Sequence, residues 1–335
     1  MTDSKLLRRA ASRVRDFRHC RLLVLGDVML DRYVWGQASR VSPEAPVLVV
    51  EAERETDRLG GAANVAWNVR AMGAECHLVG AVGQDARAAE LGAALARVGV
   101  DPSGLLGRPG VPTTLKTRIV AHQQQVLRLD QEKRLDLEPA EAAQLIETAR
   151  ALLDRVQGVV VSDYGKGVVT AQVLEALLPE MRSRGLPVCV DPKERHVSLY
   201  RGVSTLTPNT SEAGEVVGTR VRDEDSLLRV GWAIQRLTEA RSVLITRGKD
   251  GMALFEPPAT VTHLPAVARE VYDVTGAGDT VVAMFGLTLC AGGSFLEAAV
   301  VANHAAAQVI REVGTAVPTP DELVASLEEH SRGQG

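Results

Sequence analysis

Short β-forming runs rich in Val, Leu and Ile recur at residues 21–26, 76–82, 158–162, 187–190, 205–207 and 242–246. Most are nearly continuous rather than alternating, so both faces of each strand need cover, as in a parallel sheet held between two layers of helix. Amphipathic segments of helix length lie between them, at 62–72, 86–98, 139–153, 171–184 and 226–238. This alternation predicts stacked βαβ units and an α/β fold with a mostly parallel central sheet. Across 335 residues, 45% of them hydrophobic, there is ample apolar surface for one large core. No repeat, low-complexity tract or Gly/Ser linker divides the chain, so residues 1–335 are expected to form a single domain.

Two segments break the rhythm. Residues 46–51 read as a strand after a loop, and 113–120 with 125–130 read as a hairpin turning around 121–124. Antiparallel strands inserted among parallel units predict a small accessory sheet, a β lid built from segments at about 32–58 and 110–131. A lid of this kind has one face for a ligand. The apolar positions of its other face, Leu115 and Ile119 among them, need burial elsewhere, which predicts a homodimer joined through the lid.

Several classes are disfavoured. A net charge of −4 argues against broad capture of nucleic acid or acidic lipid. Cys20, Cys76, Cys189 and Cys290 are far apart and form no Cys-x-x-Cys or Cys/His cluster, so they read as reduced thiols of a cytoplasmic protein rather than a disulfide frame or zinc site. The apolar run 22–25 is too short for a signal-peptide core. The uncharged stretch 280–296 is interrupted by Gly286, Gly292 and Gly293 and falls short of the ~20 apolar residues a bilayer span needs. It reads as a buried helix and a turn, with no membrane partner.

Four constellations could carry chemistry. In Asp273-Val-Thr-Gly-Ala-Gly-Asp279, glycines precede a small-residue helix. Such a turn brings backbone N–H groups to a helix N-terminus, where an anionic phosphate is favoured. A carboxylate inside that cradle suits a base beside a transferring phosphoryl group; otherwise Asp279 simply caps a helix. With the reference carboxyl pKa of about 3.9, Asp279 is expected to be ionised at neutral pH without tuning. Gly60-Gly-Ala-Ala-Asn64, with Gly26-Asp-Val-Met-Leu-Asp31, places Asp27, Asp31 and Asn64 where loops leave the carboxyl edge of the sheet, suited to polyhydroxy ligands. The alternative is ordinary turn residues and close helix packing. In Thr207-Pro-Asn-Thr-Ser-Glu212, Asn209 and Glu212 could offer oxygens to Mg²⁺ or form a capping box. Lys116, Arg118, Arg128, Lys166 and Lys193 are candidate anion contacts or plain surface, Lys193 standing out because it follows the buried-looking strand 188–191.

Taken in this order the motifs resemble the ribokinase/PfkB family of sugar kinases. Within it the chain is most similar to the branch that phosphorylates D-glycero-D-manno-heptose 7-phosphate at C1 for lipopolysaccharide precursors. The stretches Leu25–Tyr33, Ser39–Pro46, Gly60–Ala66, Arg128–Asp130, Ser162–Gly167, Asp191–Lys193, Leu206–Asn209 and Glu270–Thr280 carry the likeness. The resemblance implies a ribokinase-like three-layer fold, with ATP and Mg²⁺ as cofactors and a monovalent cation such as K⁺ as a further candidate. It implies Asp279 as catalytic base and Gly276, Ala277 and Gly278 as the anion hole, with Asn209 and Glu212 organising Mg²⁺. Thr246, Arg247, Gly248, Asp273, Thr275 and Asn303 would border the nucleotide. Asp31, Gly60, Gly61 and Asn64 would hold the sugar, and Arg118, Arg128, Lys166 and Lys193 would meet its phosphate. His122 stands where the family's lid usually has an arginine. Residues 315–335 leave room for a terminal helix and tail, so a kinase without the nucleotidyltransferase fused to many relatives is expected. The competing readings are another sugar kinase of the family and a non-catalytic nucleotide or sugar sensor. A dinucleotide-dependent oxidoreductase is disfavoured because 26–31 lacks the glycine spacing for pyrophosphate approach.

Overall fold

The computed structural model describes residues 3–122, 124–268, 273–311 and 314–332. Gln123, in the expected hairpin turn, and Glu270, Val271 and Tyr272, at the head of the late motif, lie outside the described residues.

Thirteen strands occur among the described residues: β1 (Arg21–Gly26), β2 (Val28–Val41), β3 (Leu48–Gly61), β4 (Glu75–Gly83), β5 (Leu105–Arg108), β6 (Leu115–Ala121), β7 (Gln124–Gln131), β8 (Gly158–Ser162), β9 (Val188–Asp191), β10 (Thr205–Leu206), β11 (Ser242–Thr246), β12 (Met252–Glu256) and β13 (Thr260–Leu264). The helices are α1 (Ser4–Asp16), α2 (Ala62–Ala71), α3 (Ala86–Arg97), α4 (Pro139–Arg150), α5 (Ala171–Ser183), α6 (Thr210–Val217), α7 (Glu224–Thr238), α8 (Ala277–Cys290), α9 (Phe295–Val309) and α10 (Pro320–Arg332). Nine strands form one sheet in the order β13-β12-β11-β10-β9-β8-β1-β4-β5. It is parallel from β11 to β5, and β12 and β13 add an antiparallel edge.

Alternate residues of single strands feed two separate cores. Leu22 and Val24 of β1 pack with α1, α2, α8 and α9, whereas Leu23 and Leu25 pack with α4, α5 and α7. The uninterrupted apolar runs are therefore the middle layer of an α/β/α sandwich. The stretch 280–296 divides as expected, into the buried α8, a turn and the start of α9. No helix among the described residues is long and apolar enough to cross a membrane.

The second sheet has the order β3-β2-β6-β7. β6 and β7 form the expected hairpin, but the short strand expected at 46–51 is part of a much larger feature. β2 and β3 are each 14 residues long, and their outer halves are largely exposed on both faces. A strand such as β3, Leu-Val-Val-Glu-Ala-Glu-Arg-Glu-Thr-Asp-Arg, carries no apolar alternation because half of it buries nothing. Leu115 corrects the expectation placed on it: it is buried in this chain's own core rather than waiting for a partner. Register sets Val34, Ile119 and Leu127 side by side on the sheet's outer face, with Leu129 two residues along. Leu127 and Leu129 are more than half exposed.

Candidate active site

Parallel strands end together, so the residues following each of them meet at one edge of the sheet. Gly26 pairs with Ser162, Ser162 with Asp191, and Asn209 bridges Thr246. Beyond these ends opens a cleft of about 880 Å³. Of the residues singled out in the sequence, Lys116, Lys166, Lys193, Asn209, Glu212, Thr246, Gly248, Gly276, Ala277, Gly278 and Asn303 line it.

Its floor is the N-terminus of α8. Gly276 caps the helix at φ 79°, and a Cβ there would lie 2.7 Å from Asn64 Nδ2 and 2.9 Å from Thr315 Cγ2. Left-handed backbone and close approach together require glycine. The N–H of Ala277 already donates to Val274 O at 3.2 Å, so the first-turn amides left for an anion are those of Gly278 and Asp279. Asp273 and Thr275 do not line the cleft. The Asp273 carboxylate accepts from Thr275 N, Thr275 Oγ1 and Gly314 N at 2.7–2.9 Å and so shapes the turn before the helix.

Asp279 is buried in the first turn of α8. Asn64 Nδ2 donates to its Oδ2 at 2.8 Å and Tyr164 Oη to its Oδ1 at 2.8 Å. The expectation of an ordinary carboxyl group is overturned: burial pushes the Asp279 pKa up to about 7, against the two donors that hold it down. Asp191, at the end of β9, faces the same cleft, its carboxylate 4.0 Å from where a Cβ of Gly278 would stand. No hydrogen-bond donor among the described residues reaches that carboxylate. Burial, then the charges of Glu212 and Asp279, hold its pKa well above the usual range.

Asn209 and Glu212 adopt the capping box that was the alternative to metal binding. Asn209 Oδ1 accepts from the N–H groups of Ser211 and Glu212 at 2.9 and 3.0 Å, and Glu212 Oε2 accepts from Asn209 N at 2.9 Å. Glu212 still lines the cleft, and burial raises its pKa.

On the small-sheet side Asp31 is buried against Arg118, Oδ1 to Nη1 at 2.5 Å, and a Cβ on Gly60 would stand 2.6 Å from its other oxygen. Gly61, at φ 57°, brings the chain against Asp27 O and the Tyr164 ring. Asp27 itself does not look into the cleft for a ligand. Its carboxylate accepts the N–H groups of Tyr164, Lys166 and Val168 at 2.9–3.0 Å. The cations divide by partner. Lys166 pairs with Glu132 at 2.5 Å and Lys193 with Glu194 at 2.6 Å. Arg128 lies out on β7, paired with Asp130, and Arg247 turns to His263 and Glu224 outside the cleft. His122 sits at the hairpin turn with its ring near Ala38 O. Sequence reasoning assigned no role to Tyr164, Asp191, Arg134 or Arg195, which line the cleft. Lys116 has no carboxylate partner among the described residues, and burial followed by the charge of Lys166 lowers its pKa. The available signal was position: Tyr164 and Asp191 each follow the carboxyl end of a buried parallel strand.

The family profile described as pfkB family carbohydrate kinase matches residues 21–322. The chain is 42% identical over 313 residues to the bifunctional protein HldE of Desulfatibacillum aliphaticivorans, covering 93% of this chain and 64% of that protein. It is 45% identical over 313 residues to the bifunctional protein HldE of Methylococcus capsulatus, covering 93% and 65%. The chain thus spans a little under two thirds of the length of these relatives. Among solved structures, Arabidopsis thaliana ribokinase complexed with ribose and ATP superposes with a TM-score of 0.73 at 20% identity, over 92% of this chain and 99% of that one. Escherichia coli phosphofructokinase-2 in complex with potassium gives a TM-score of 0.76 at 17% identity, over 93% and 99%. These two likenesses bear on the fold.

Proposed function

Because the chain belongs to the pfkB family of carbohydrate kinases, we propose that its cleft transfers the γ-phosphoryl group of ATP to the C1 hydroxyl of D-glycero-D-manno-heptose 7-phosphate, giving the 1,7-bisphosphate. The observation that carries the reading is Asp279: a buried carboxylate with a donor on each oxygen, set at a helix N-terminus that can take a phosphate. The identity to HldE proteins and the family-like stretches along the chain support the heptose substrate.

In this reading Asp279 takes the C1 hydroxyl proton as the sugar oxygen attacks phosphorus, and the bond to the leaving ADP oxygen breaks in line. The N–H groups of Gly278 and Asp279, at the positive end of α8, stabilise the transferring group. Asp31 and Asn64 meet sugar hydroxyls. Lys116, Lys166 and Lys193 supply positive charge for the sugar's phosphate. Thr246, Gly248 and Asn303 border the nucleotide. Asp191 and Glu212 fit a divalent cation, since two carboxylates facing a phosphate site with raised pKa values need a counter-charge. Bound there, Mg²⁺ would neutralise charge on the ATP phosphates.

The small sheet then serves as lid. The patch of Val34, Ile119, Leu127 and Leu129 on its outer face supports a homodimer through the lid. Unpaired cysteines, three of them buried and Cys290 partly so, suit a cytoplasmic enzyme.

ADP release measured over a panel of sugars and sugar phosphates tests the assignment, with NMR locating the new phosphate. Heptose 7-phosphate is expected to be the preferred substrate and to carry phosphate at C1. Preference for another sugar, or no ADP release with any, would refute it.

A further inference from the structure

Asp279 is held by two donors of different kinds. Asn64 comes from α2, next to the sugar-side glycines, whereas Tyr164 comes from the loop 163–168, which packs against the main sheet. That loop is fastened by two buried carboxylates. Asp27 accepts three of its N–H groups, those of Tyr164, Lys166 and Val168. Asp163 accepts the Gly165 N–H at 2.8 Å through one oxygen and meets His196 Nδ1 at 2.6 Å and Tyr200 Oη at 2.5 Å through the other. Gly165 and Gly167 take positive φ, and a Cβ on Gly167 would stand 1.9 Å from Leu135 O. The backbone carrying Tyr164 is therefore set by groups outside the reacting centre, before any ligand arrives.

We propose that Tyr164 is a positioning residue for the phosphoryl transfer, its hydroxyl fixing the orientation and charge state in which Asp279 takes the sugar proton, with Asp27 and Asp163 clamping the loop that delivers it. The inference rests on the reading of Asp279 as the base. A phenol suits the task because it stays a donor: burial and the neighbouring Asp279 charge hold the Tyr164 pKa well above its ordinary value. The charged groups facing Asp279 are otherwise opposed. Asp31 from β2 and Asp191 from the end of β9 favour its protonated form, and Lys116 from β6 favours the carboxylate. Among the described residues, Tyr164 and Asn64 are the two groups in hydrogen-bond contact with the carboxylate itself.

Tyr164→Phe tests this, because it keeps the ring that packs beside Gly61 and removes only the donor. A hydrogen bond to a charged group is of a size to move a pKa by about 1–2 units. The acid limb of the kcat–pH profile is therefore expected to rise by about 1–2 pH units, with turnover recovering towards wild type above the new limb. A ¹³C titration of the Asp279 carboxyl, assigned by difference against Asp279→Asn, should move by the same amount without any turnover. A merely space-filling tyrosine would lower activity equally at every pH and leave both midpoints in place, and that outcome overturns the proposal. Asp279→Asn separates the two levels: if it keeps near-normal turnover, the reading of Asp279 as base fails. If it is inactive while Tyr164→Phe leaves both midpoints unmoved, only the role of Tyr164 fails.

Discussion

Replacing the proposed base should make the protein more stable as well as inactive. Burial lifts the Asp279 pKa from a reference of 3.8 to about 7, roughly three units. At about 1.36 kcal/mol per unit, the ionised form costs the folded state on the order of 4 kcal/mol at pH values well above 7. The sign follows from which state binds the proton more tightly. Here it is the folded state, so the group's stabilising contribution is complete below pH 3.8 and is lost as pH rises through 7. Asp279→Asn keeps the shape and has no proton to lose. Its stability relative to wild type should therefore climb between about pH 4 and pH 8 and level off a few kcal/mol higher. Urea unfolding at a series of pH values reads this directly, with m-values checked for constancy. Turnover of the same variant should fall by about 10²–10⁴, the usual worth of a positioned base. Wild-type kcat should fall on the acid side of pH 7, where the carboxylate is protonated. Parallel stability curves for the two proteins would refute the argument, because the carboxylate would then bear no burial cost.

Gly276→Ala should destabilise by about 1–2 kcal/mol from the left-handed backbone alone. It should also reduce turnover, because the new Cβ displaces Asn64 from Asp279; unchanged kcat would separate Asn64 from the base. Lys116→Ala should raise KM for the sugar phosphate by about 10- to 100-fold and leave KM for ATP nearly unchanged, as a charge-assisted hydrogen bond is worth roughly 1.5–3 kcal/mol. Lys193→Ala should act in the same direction more weakly, since Glu194 already occupies its ammonium group; equal movement of both Michaelis constants would remove either lysine from that role. Sedimentation should show twice the chain mass at micromolar concentration, shifted towards monomer by Leu129→Asp; a wild-type monomer throughout would exclude the lid dimer.

The parts of the fold legible in the sequence are those whose two faces are both buried. β1, β8 and β11 each extend one residue beyond either end of an apolar run, Leu22–Leu25, Val159–Val161 and Val243–Ile245, because the middle of a covered parallel strand must be apolar and the first polar residue or glycine marks its edge. β2 and β3 were not legible for the converse reason. Their outer halves bury neither face, so pairing alone holds them extended and their side chains are free to be charged. The site divides along the same line. The glycine turn before Asp279 is local chemistry and shows in seven residues. Asn209 and Glu212 are ambiguous at any level of sequence detail, since a capping box and a carboxylate facing the cleft use the same atoms and the structure has both. The state of Asp279 depends on burial by residues more than 100 positions away, and Tyr164 reaches it only because Asp27, at the end of another strand, gathers three amides of its loop. An aspartate in a β1 turn reads as a candidate ligand, yet here it is spent on backbone. What the carboxyl edge of a parallel sheet supplies is therefore of two kinds, groups that face the ligand and groups that hold those groups still. Position in the sequence marks both without distinguishing them. The distinction lies in whether a side chain's lone pairs are already taken by N–H groups of the protein, as at Asp27, or left open to the cleft, as at Asp191.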